Sequence, residues 1–147
     1  ATATTTATTT STSTSIIADR ICLDFVQTLK EEEGCWIGSS AKIMALLLSE
    51  NSRSSYVPTR PFRINAGPVH SYVVMGDGST TKYLCEVSAG DAISIYNTHT
   101  QTSRPVVIGR IKEELRPCLI IDLSSSSPPK ESQSQPQPQP QQEETMK

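Results

Sequence analysis

The sequence predicts a mainly β domain, built as a small barrel or sandwich, with disordered tails at both ends. Short segments rich in β-branched and aromatic residues alternate with turn sequences at intervals of roughly 8–12 residues, which is typical of small all-β domains. Residues 1–15 contain only Ala, Thr and Ser, and residues 124–147 are dominated by Ser, Pro, Gln, Glu and Lys. Neither end has the apolar side chains that would offset the entropy cost of ordering.

The foldable part of the chain is predicted to form one domain over residues 16–123. This length, about 105 residues, is ordinary for a single domain and leaves no room for a second core. The leader, residues 1–15, resembles a transit peptide in composition, although it lacks the arginines that such peptides usually carry. A truncated gene product is the alternative interpretation. The tail, residues 124–147, contains the repeat QPQPQP and is predicted to be disordered and partly polyproline.

The first half of the domain leaves its secondary structure open. DRICLDFVQTLKEEEG (19–34) begins with alternating apolar residues and continues with a helix-like spacing, so it is predicted to be a strand or a short helix. GCWIG predicts a strand and GSSAK a turn. IMALLL (43–48) is predicted to be a buried strand or a short helix, because periodicity does not discriminate in so short a run.

The second half of the domain predicts strands throughout. YVVM (72–75) and TKYLCEV (81–87) flank the turn sequence GDGSTT and predict a β-hairpin. The next strand follows the turn SAGD, in which Asp91 is expected to cap backbone N–H groups. RPVVIGRIKEE and RPCLIIDL predict two more strands. Pro117 is placed at the start of the last one, where a missing N–H group is tolerated.

Composition excludes several classes of function. The chain has 13 basic and 15 acidic residues and a net charge of −2, so no nucleic-acid-binding surface is expected. Its longest apolar run is too short to span a membrane. No secretory signal is evident, so secretion is not expected, and plastid and cytoplasm both stay open. The four cysteines form no CxxC motif, so we expect buried thiols and no metal site.

The segment RPFRINAGPVHSYV (60–73) concentrates the candidate site residues. Arg60 and Arg63 present planar forks of donors that match a carboxylate, and Asn65 adds an amide. His70 carries an imidazole, a side chain that commonly serves as a general acid or base, and could transfer a proton to or from a substrate. The alternative is an ordinary β-hairpin, in which these residues form a polar strand face and the Asn-Ala-Gly sequence a turn with Gly67 at positive φ.

A second candidate anion site lies in the sequence GSSAK. Ser39 and Ser40 could offer backbone N–H groups to an anion, and Lys42 could add an ammonium group. The alternative is a hairpin turn with a solvated lysine. A Schiff-base role for Lys42 is not supported, because that chemistry needs a buried lysine with a lowered pKa.

The ordered series RPFRINAGPVHSYV, TKYLCEVSAGDAISIY and VVIGRIKEELRPCLIID resembles the C-terminal part of the archaeal-type 3-dehydroquinate synthase family (class II). The upstream segment DRICLDFVQTLKEEEGCWIGSSAK is similar as well, so the resemblance runs from about Asp19 to Asp122. It implies an NAD-dependent enzyme of the shikimate pathway. Members of that family oxidatively deaminate a seven-carbon amino-sugar acid and recyclise it to 3-dehydroquinate, an early intermediate of aromatic amino acid biosynthesis.

The resemblance also implies roles for the candidate residues and for parts outside this chain. Arg60, Arg63 and Asn65 would bind the carboxylate substrate, and His70 would be catalytic. Family members are considerably longer, and no GxGxxG sequence follows a predicted strand here. The NAD site is therefore expected outside this chain, which would be a fragment or remnant partnered by the missing N-terminal domain. The alternative is a non-catalytic β-module that binds a small anion or a protein.

Overall fold

The computed structural model describes residues 15–51 and 58–122, and these residues form a mainly β fold. The elements, in chain order, are β1 (Ser15–Phe25), β2 (Glu33–Ser40), β3 (Ile43–Leu48), β4 (Arg63–Pro68), β5 (Tyr72–Val74), β6 (Thr81–Tyr83), a 3-10 turn (Leu84–Glu86), β7 (Ala92–Asn97) and β8 (Thr102–Leu119). The predicted fold class is confirmed. The tails predicted to be disordered lie outside the described residues, apart from Ser15, so the domain boundaries at residues 16 and 123 stay predictions.

All strands belong to one antiparallel sheet that curls toward a barrel. The hydrogen-bonded order is β4-β1-β8-β7-β2-β5-β6, and β3 pairs with the other edge of β2. The segment that follows β3 contacts the start of β4. The Glu50 N–H donates to the carbonyl of Arg63 at 2.8 Å, and the Arg60 N–H donates to the carbonyl of Glu50 at 2.8 Å. The segment after β3 thus closes part of the gap to β4.

The sheet encloses one apolar core. Its members are Ile21, Leu23, Phe25, Leu29, Cys35, Ile37, Ile64, Ala66, Val73, Met75, Leu84, Val87, Ile93, Ile95, Val106 and Ile108. Neither segment left open is a helix. Residues 19–25 of the first belong to β1, whose alternate residues reach this core, and a loop follows up to β2. IMALLL is strand β3, which pairs along β2 but is only partly buried, so the expectation of a buried strand was wrong in that respect. No helix in the described part of the chain has the length and hydropathy to cross a membrane.

The last strand differs from the prediction, because the two expected strands are one strand of 18 residues, β8. Its first part pairs with β7 and its second part with β1. A β-bulge interrupts the pairing with β1, since Asp24 lies opposite Arg110 whereas Phe25 lies opposite Ile108. The extra residue, Gly109, shifts the alternation of the strand by one position. Ile108 therefore faces the core, while Arg110 faces outward.

The hairpin around GDGSTT is confirmed, with one difference at its end. β5 pairs with β6, and the Asp77 carboxylate accepts hydrogen bonds from the N–H groups of Ser79 and Thr80 at 2.9 Å each. The predicted strand 81–87 ends at Tyr83, because Leu84 turns inward into the core as the 3-10 turn begins. Farther along, the Asp91 carboxylate accepts from the Ser88 N–H at 3.0 Å, as predicted.

The cysteines only partly match the expectation of buried thiols. Cys22 and Cys35 are buried, but Cys85 is exposed and Cys118 is half-buried. Burial raises the pKa of Cys35 to about 12. Cys85 is turned outward because it lies in the 3-10 turn, whose inward position is taken by Leu84.

Candidate anion-binding site

Strand β4 places its polar residues on the face of the sheet that points away from the core. Ile64 and Ala66 are fully buried in the core, so the alternating residues Arg63 and Asn65 lie on the opposite face. The expected Asn-Ala-Gly turn is instead a bulged part of β4. Gly67 adopts the predicted positive φ, 104°, within that strand.

Two arginines hold one buried carboxylate across three strands of this face. Arg63 donates from Nε to Asp24 Oδ1 at 2.6 Å and from Nη2 to Asp24 Oδ2 at 2.8 Å. Arg110, on the other side of β1, donates from Nε to Asp24 Oδ2 at 2.9 Å. Burial raises the pKa of Asp24, but the hydrogen bonds from both arginines outweigh this effect and hold it below its ordinary value of 3.8. Asp24 is therefore ionised at neutral pH.

The next row of the same face contains the amide of Asn65. The Cys22 thiol donates to Asn65 Oδ1 at 2.9 Å, and Asn65 Nδ2 donates to the carboxylate of Glu50. That carboxylate also accepts from Arg60 Nη1 at 3.4 Å. Arg60, Arg63 and Asn65 are therefore brought to one face of the domain. Burial raises the pKa of Cys22, so this thiol stays protonated at neutral pH.

The outer face of β4, β1 and β8 carries an excess of positive charge. We call it the cationic face, and its ionisable side chains are Arg20, Arg60, Arg63, Arg110, Lys112, Arg116, Asp24, Glu50 and Glu114. Six of them are cations and three are anions, whereas the whole chain has a net charge of −2. Positive charge is thus segregated onto this face.

The contribution of β8 to the cationic face was missed in the sequence. The sequence predicted a strand over RPVVIGRIKEE but no site residue within it, whereas in β8 Lys112 Nζ pairs with Glu114 Oε1 at 2.8 Å. The alternation of Arg110, Lys112, Glu114 and Arg116 was the available signal, because residues two apart in a strand share a face. Arg110 has 65% of its side chain exposed, which makes it the most accessible of the arginines in these ion pairs.

His70 lies at the other end of β4 from the paired arginine. It occupies an exposed turn, in which the Ser71 N–H donates to the carbonyl of Pro68 at 3.0 Å. At about 3.3 Å per residue, the five-residue step from Arg63 to Pro68 alone spans roughly 16 Å. The structure therefore does not bring His70 together with Arg60, Arg63 and Asn65.

The second predicted anion site is a hairpin turn at a distance from the cationic face. Ser39 and Ser40 end β2 and Lys42 precedes β3, and all three are exposed. The Lys42 N–H donates to Ser40 Oγ at 3.2 Å, so one backbone donor already has a partner. The length of β3 separates this turn from Glu50 by roughly 20 Å. Its role as an anion site stays a prediction.

Comparison with known proteins connects this geometry to a family of enzymes. Residues 6–145 match the family model described as the 3-dehydroquinate synthase II C-terminal domain. The chain belongs to the 3-dehydroquinate synthase II family. It is 46% identical over 104 residues to a 3-dehydroquinate synthase of Methanobrevibacter smithii and 44% identical over 104 residues to one of Methanocaldococcus jannaschii. It is also 45% identical over 103 residues to one of Methanopyrus kandleri. No solved structure matches the chain.

The matched region is a small part of these synthases. It covers 71% of this chain but only 28% of the Methanobrevibacter smithii protein, and 25% of the Methanopyrus kandleri protein. The resemblance to the C-terminal part of 3-dehydroquinate synthase II is thereby confirmed. The 3-dehydroquinate synthase II relatives contain a large additional region that this domain accompanies.

The described residues do not fit the usual dinucleotide site. Such sites place a pyrophosphate at the N-terminus of an α-helix that follows a glycine-rich turn. Residues 15–51 and 58–122 contain strands and one short 3-10 turn, with no α-helix. No element in this described part of the chain therefore has the helix N-terminus that such sites use.

Proposed function

We propose that this chain acts as the C-terminal domain of an NAD-dependent 3-dehydroquinate synthase and that its cationic face binds the carboxylate of the substrate. The reaction would be the oxidative deamination and recyclisation of an amino-sugar acid to 3-dehydroquinate. One observation supports the carboxylate site most directly. Arg60, Arg63 and Asn65, which were singled out from the sequence, lie on one face together with Arg110.

The residues of the cationic face would contribute to ligand binding in different ways. Arg60 and Arg110 have 40% and 65% of their side chains exposed, so their guanidinium groups can reach a ligand carboxylate. Asn65 would add a donor beside them. Arg63 has two of its donors bound to Asp24, so a direct contact with the ligand would require giving up part of that pair. Its charge still adds to the local positive potential.

His70 remains the proposed proton-transfer residue. An exposed imidazole can exchange protons with a substrate near neutral pH. Because His70 lies beyond the far end of β4, it can act on the same substrate only if that molecule lies along the strand. NAD would be held by the upstream region that the longer relatives possess, since the described residues offer no fitting element.

Binding of the carboxylate is tested by titrating the 147-residue chain with 3-dehydroquinate and following backbone amide signals by NMR. We expect shifts around β4 and the middle of β8. Arg60→Ala should weaken binding about tenfold, which is the effect of losing one charge-assisted hydrogen bond. Lys42→Ala is the matched control, because this exposed cation lies away from the cationic face. Equal binding by both variants would contradict the proposed site.

The catalytic part is tested by fusing the complete chain behind the upstream region of the Methanobrevibacter smithii synthase, in place of its matched segment. Formation of NADH together with 3-dehydroquinate would support the enzyme. Carboxylate binding without turnover would favour the alternative, a non-catalytic module that binds small anions.

A further inference from the structure

Part of the domain is a two-stranded ribbon that extends beyond the barrel. Residues Ser15–Asp19 of β1 pair with Leu115–Leu119 of β8. On the other edges, β4 pairs with β1 only over Arg20–Asp24, and β7 pairs with β8 only over Thr102–Val107. We call this ribbon the arm. At about 3.4 Å per residue it is roughly 15 Å long.

One side of the arm is exposed and mostly apolar, with Asp19 as its charged residue, opposite Leu115. Residues directly opposite each other in an antiparallel pair share a side, and the side that carries Ile21 into the core continues outward through Ile17. Ile17 is 64% exposed, and Leu115 and Leu119 are each 68% exposed. Pro117 lies opposite Ile17 and completes this patch. Contiguous exposed apolar side chains of this kind mark interaction surfaces.

A packing partner would stabilise the arm and would also bury its exposed apolar side chains. A two-stranded ribbon by itself is at best marginally stable in water, because only one row of hydrogen bonds and one layer of side chains hold it. Among the described residues, no strand pairs with either edge of the outer part of the arm. The Val69 N–H donates to the carbonyl of Asp19 at 3.0 Å, at the inner end of the arm. A surface that packs against the arm would bury the patch and fix both strands.

We propose that the apolar side of the arm docks the N-terminal domain of the longer 3-dehydroquinate synthase II proteins. This inference rests on the proposed function, in which the chain acts as the C-terminal domain of such an enzyme. The matched relatives have roughly three quarters of their length outside the matched segment. β1 is the first strand among the described residues, so a preceding domain would join the chain upstream of Ser15, which lies at the outer end of the described arm.

The position of the arm also relates docking to binding. The outward rows of the cationic face continue along β1 and β8 into the arm, where Arg116 lies opposite Ala18. A domain seated on the apolar side would be close to the cationic face without covering it, because the two surfaces are opposite faces of the same two strands. Docking of that domain and binding of a ligand at Arg60 and Arg110 would therefore be compatible.

The test compares hydrogen–deuterium exchange in two proteins: the 147-residue chain alone, and the same complete chain fused behind the upstream region of the Methanobrevibacter smithii synthase. We expect arm peptides to exchange at least about tenfold more slowly in the fusion. Leu115→Glu should abolish this protection. Val26→Glu is the matched control, because Val26 is 62% exposed but lies outside the arm, and it should leave the protection unchanged.

Two results would overturn the proposal. One is equal exchange of the arm in the fusion and in the chain alone. The other is a dimer of the chain alone, seen by sedimentation equilibrium, that protects the arm and is dissociated by Leu115→Glu, since the occupant would then be a second copy. Failure of the proposed function is distinguishable, because it would appear as a fusion that forms no 3-dehydroquinate while its arm is still protected.

Discussion

Replacing Asp24 with Asn should strongly destabilise the domain, because it would leave a buried guanidinium without its counter-charge. Asp24 is 5% exposed and Arg63 is 8% exposed, and two hydrogen bonds of 2.6 and 2.8 Å join them. The neutral amide keeps the shape of the carboxylate, but one of its two oxygens becomes an NH₂ group that faces an arginine donor. The substitution therefore removes attraction and adds a clash between donors.

The expected loss of unfolding free energy depends on how deeply each arginine partner of Asp24 is buried. Breaking a buried ion pair by removing one partner costs about 3–5 kcal/mol of unfolding free energy. The second partner, Arg110, has 65% of its side chain exposed, so its share of the pair should be below about 1 kcal/mol. The Asp24→Asn variant should thus lose about 3–5 kcal/mol, and Arg110→Gln less than about 1 kcal/mol. For a small domain the first value is a large fraction of its total stability.

Urea unfolding monitored by Trp36 fluorescence measures both variants. The double variant Asp24→Leu, Arg63→Met is the decisive control, because replacing both members of a buried pair with apolar residues is often neutral. It should recover most of the loss. If Asp24→Asn cost no more than Arg110→Gln, or if the double variant were as unstable as Asp24→Asn, the reasoning about the buried pair would be refuted.

Three further predictions concern the stability of the domain. The pKa values of Asp24 and Glu33 are lowered in the folded state, so on acidification the unfolded chain takes up protons before the folded chain does. The unfolding free energy should therefore fall as the pH drops below about 4.5. Urea unfolding between pH 3 and 7 measures this, and a flat profile would contradict it. Glu33→Gln should cost about 1–2 kcal/mol by the same assay, because Glu33 is 4% exposed and accepts from Arg104 Nε at 3.0 Å and Nη2 at 2.9 Å, while Arg104 itself is 39% exposed and stays partly solvated. A loss no larger than that of Arg110→Gln would argue against it. Gly34→Ala should separate β3 from β2, because the new Cβ would lie 2.3 Å from the carbonyl oxygen of Leu47. Amide hydrogen exchange in β3 should then become fast. Unchanged protection of β3 would show that the backbone can adjust.

The fold could be predicted from sequence where local chemistry decides it. The turn residues of GDGSTT were enough to predict the hairpin. The position of Asp91 just before a strand was enough to predict that its side chain caps a backbone N–H group. The segment that contains β1 stayed ambiguous because its alternation gives way to a helix-like spacing, and β3 because six residues are too few for periodicity to separate a strand from a helix. Pairing partners decide the outcome for both. The single long β8 was missed, because Pro117 suggested a strand start, whereas it lies in the outer part of the strand, where β7 does not pair.

The candidate site could be predicted only in part, because its members are distant in sequence. Arg60, Arg63 and Asn65 were recognised together because they lie within six residues of one another in the sequence. Their partner Asp24 is separated from Arg63 by 39 positions and from Arg110 by 86. Only the register of β4 and β8 on β1 identifies these neighbours. That register includes two bulges, one of them at Gly109, and a shift of one residue moves every side chain of a strand to the other face.

The cationic face would allow a chain with a negative net charge to attract a small anion, as proposed above. Salt screens charges over about 10 Å at ordinary ionic strength, so a bound ligand responds to the charges near it and not to the total. Burial of Asp24 between two arginines holds their guanidinium groups in place, while the exposed side of Arg110 stays available. Net charge therefore bears on an extended polyanion such as nucleic acid, which would contact a much larger surface, and the expected absence of such a partner stays a prediction. The net charge of the chain does not argue against the binding of a single carboxylate to this face.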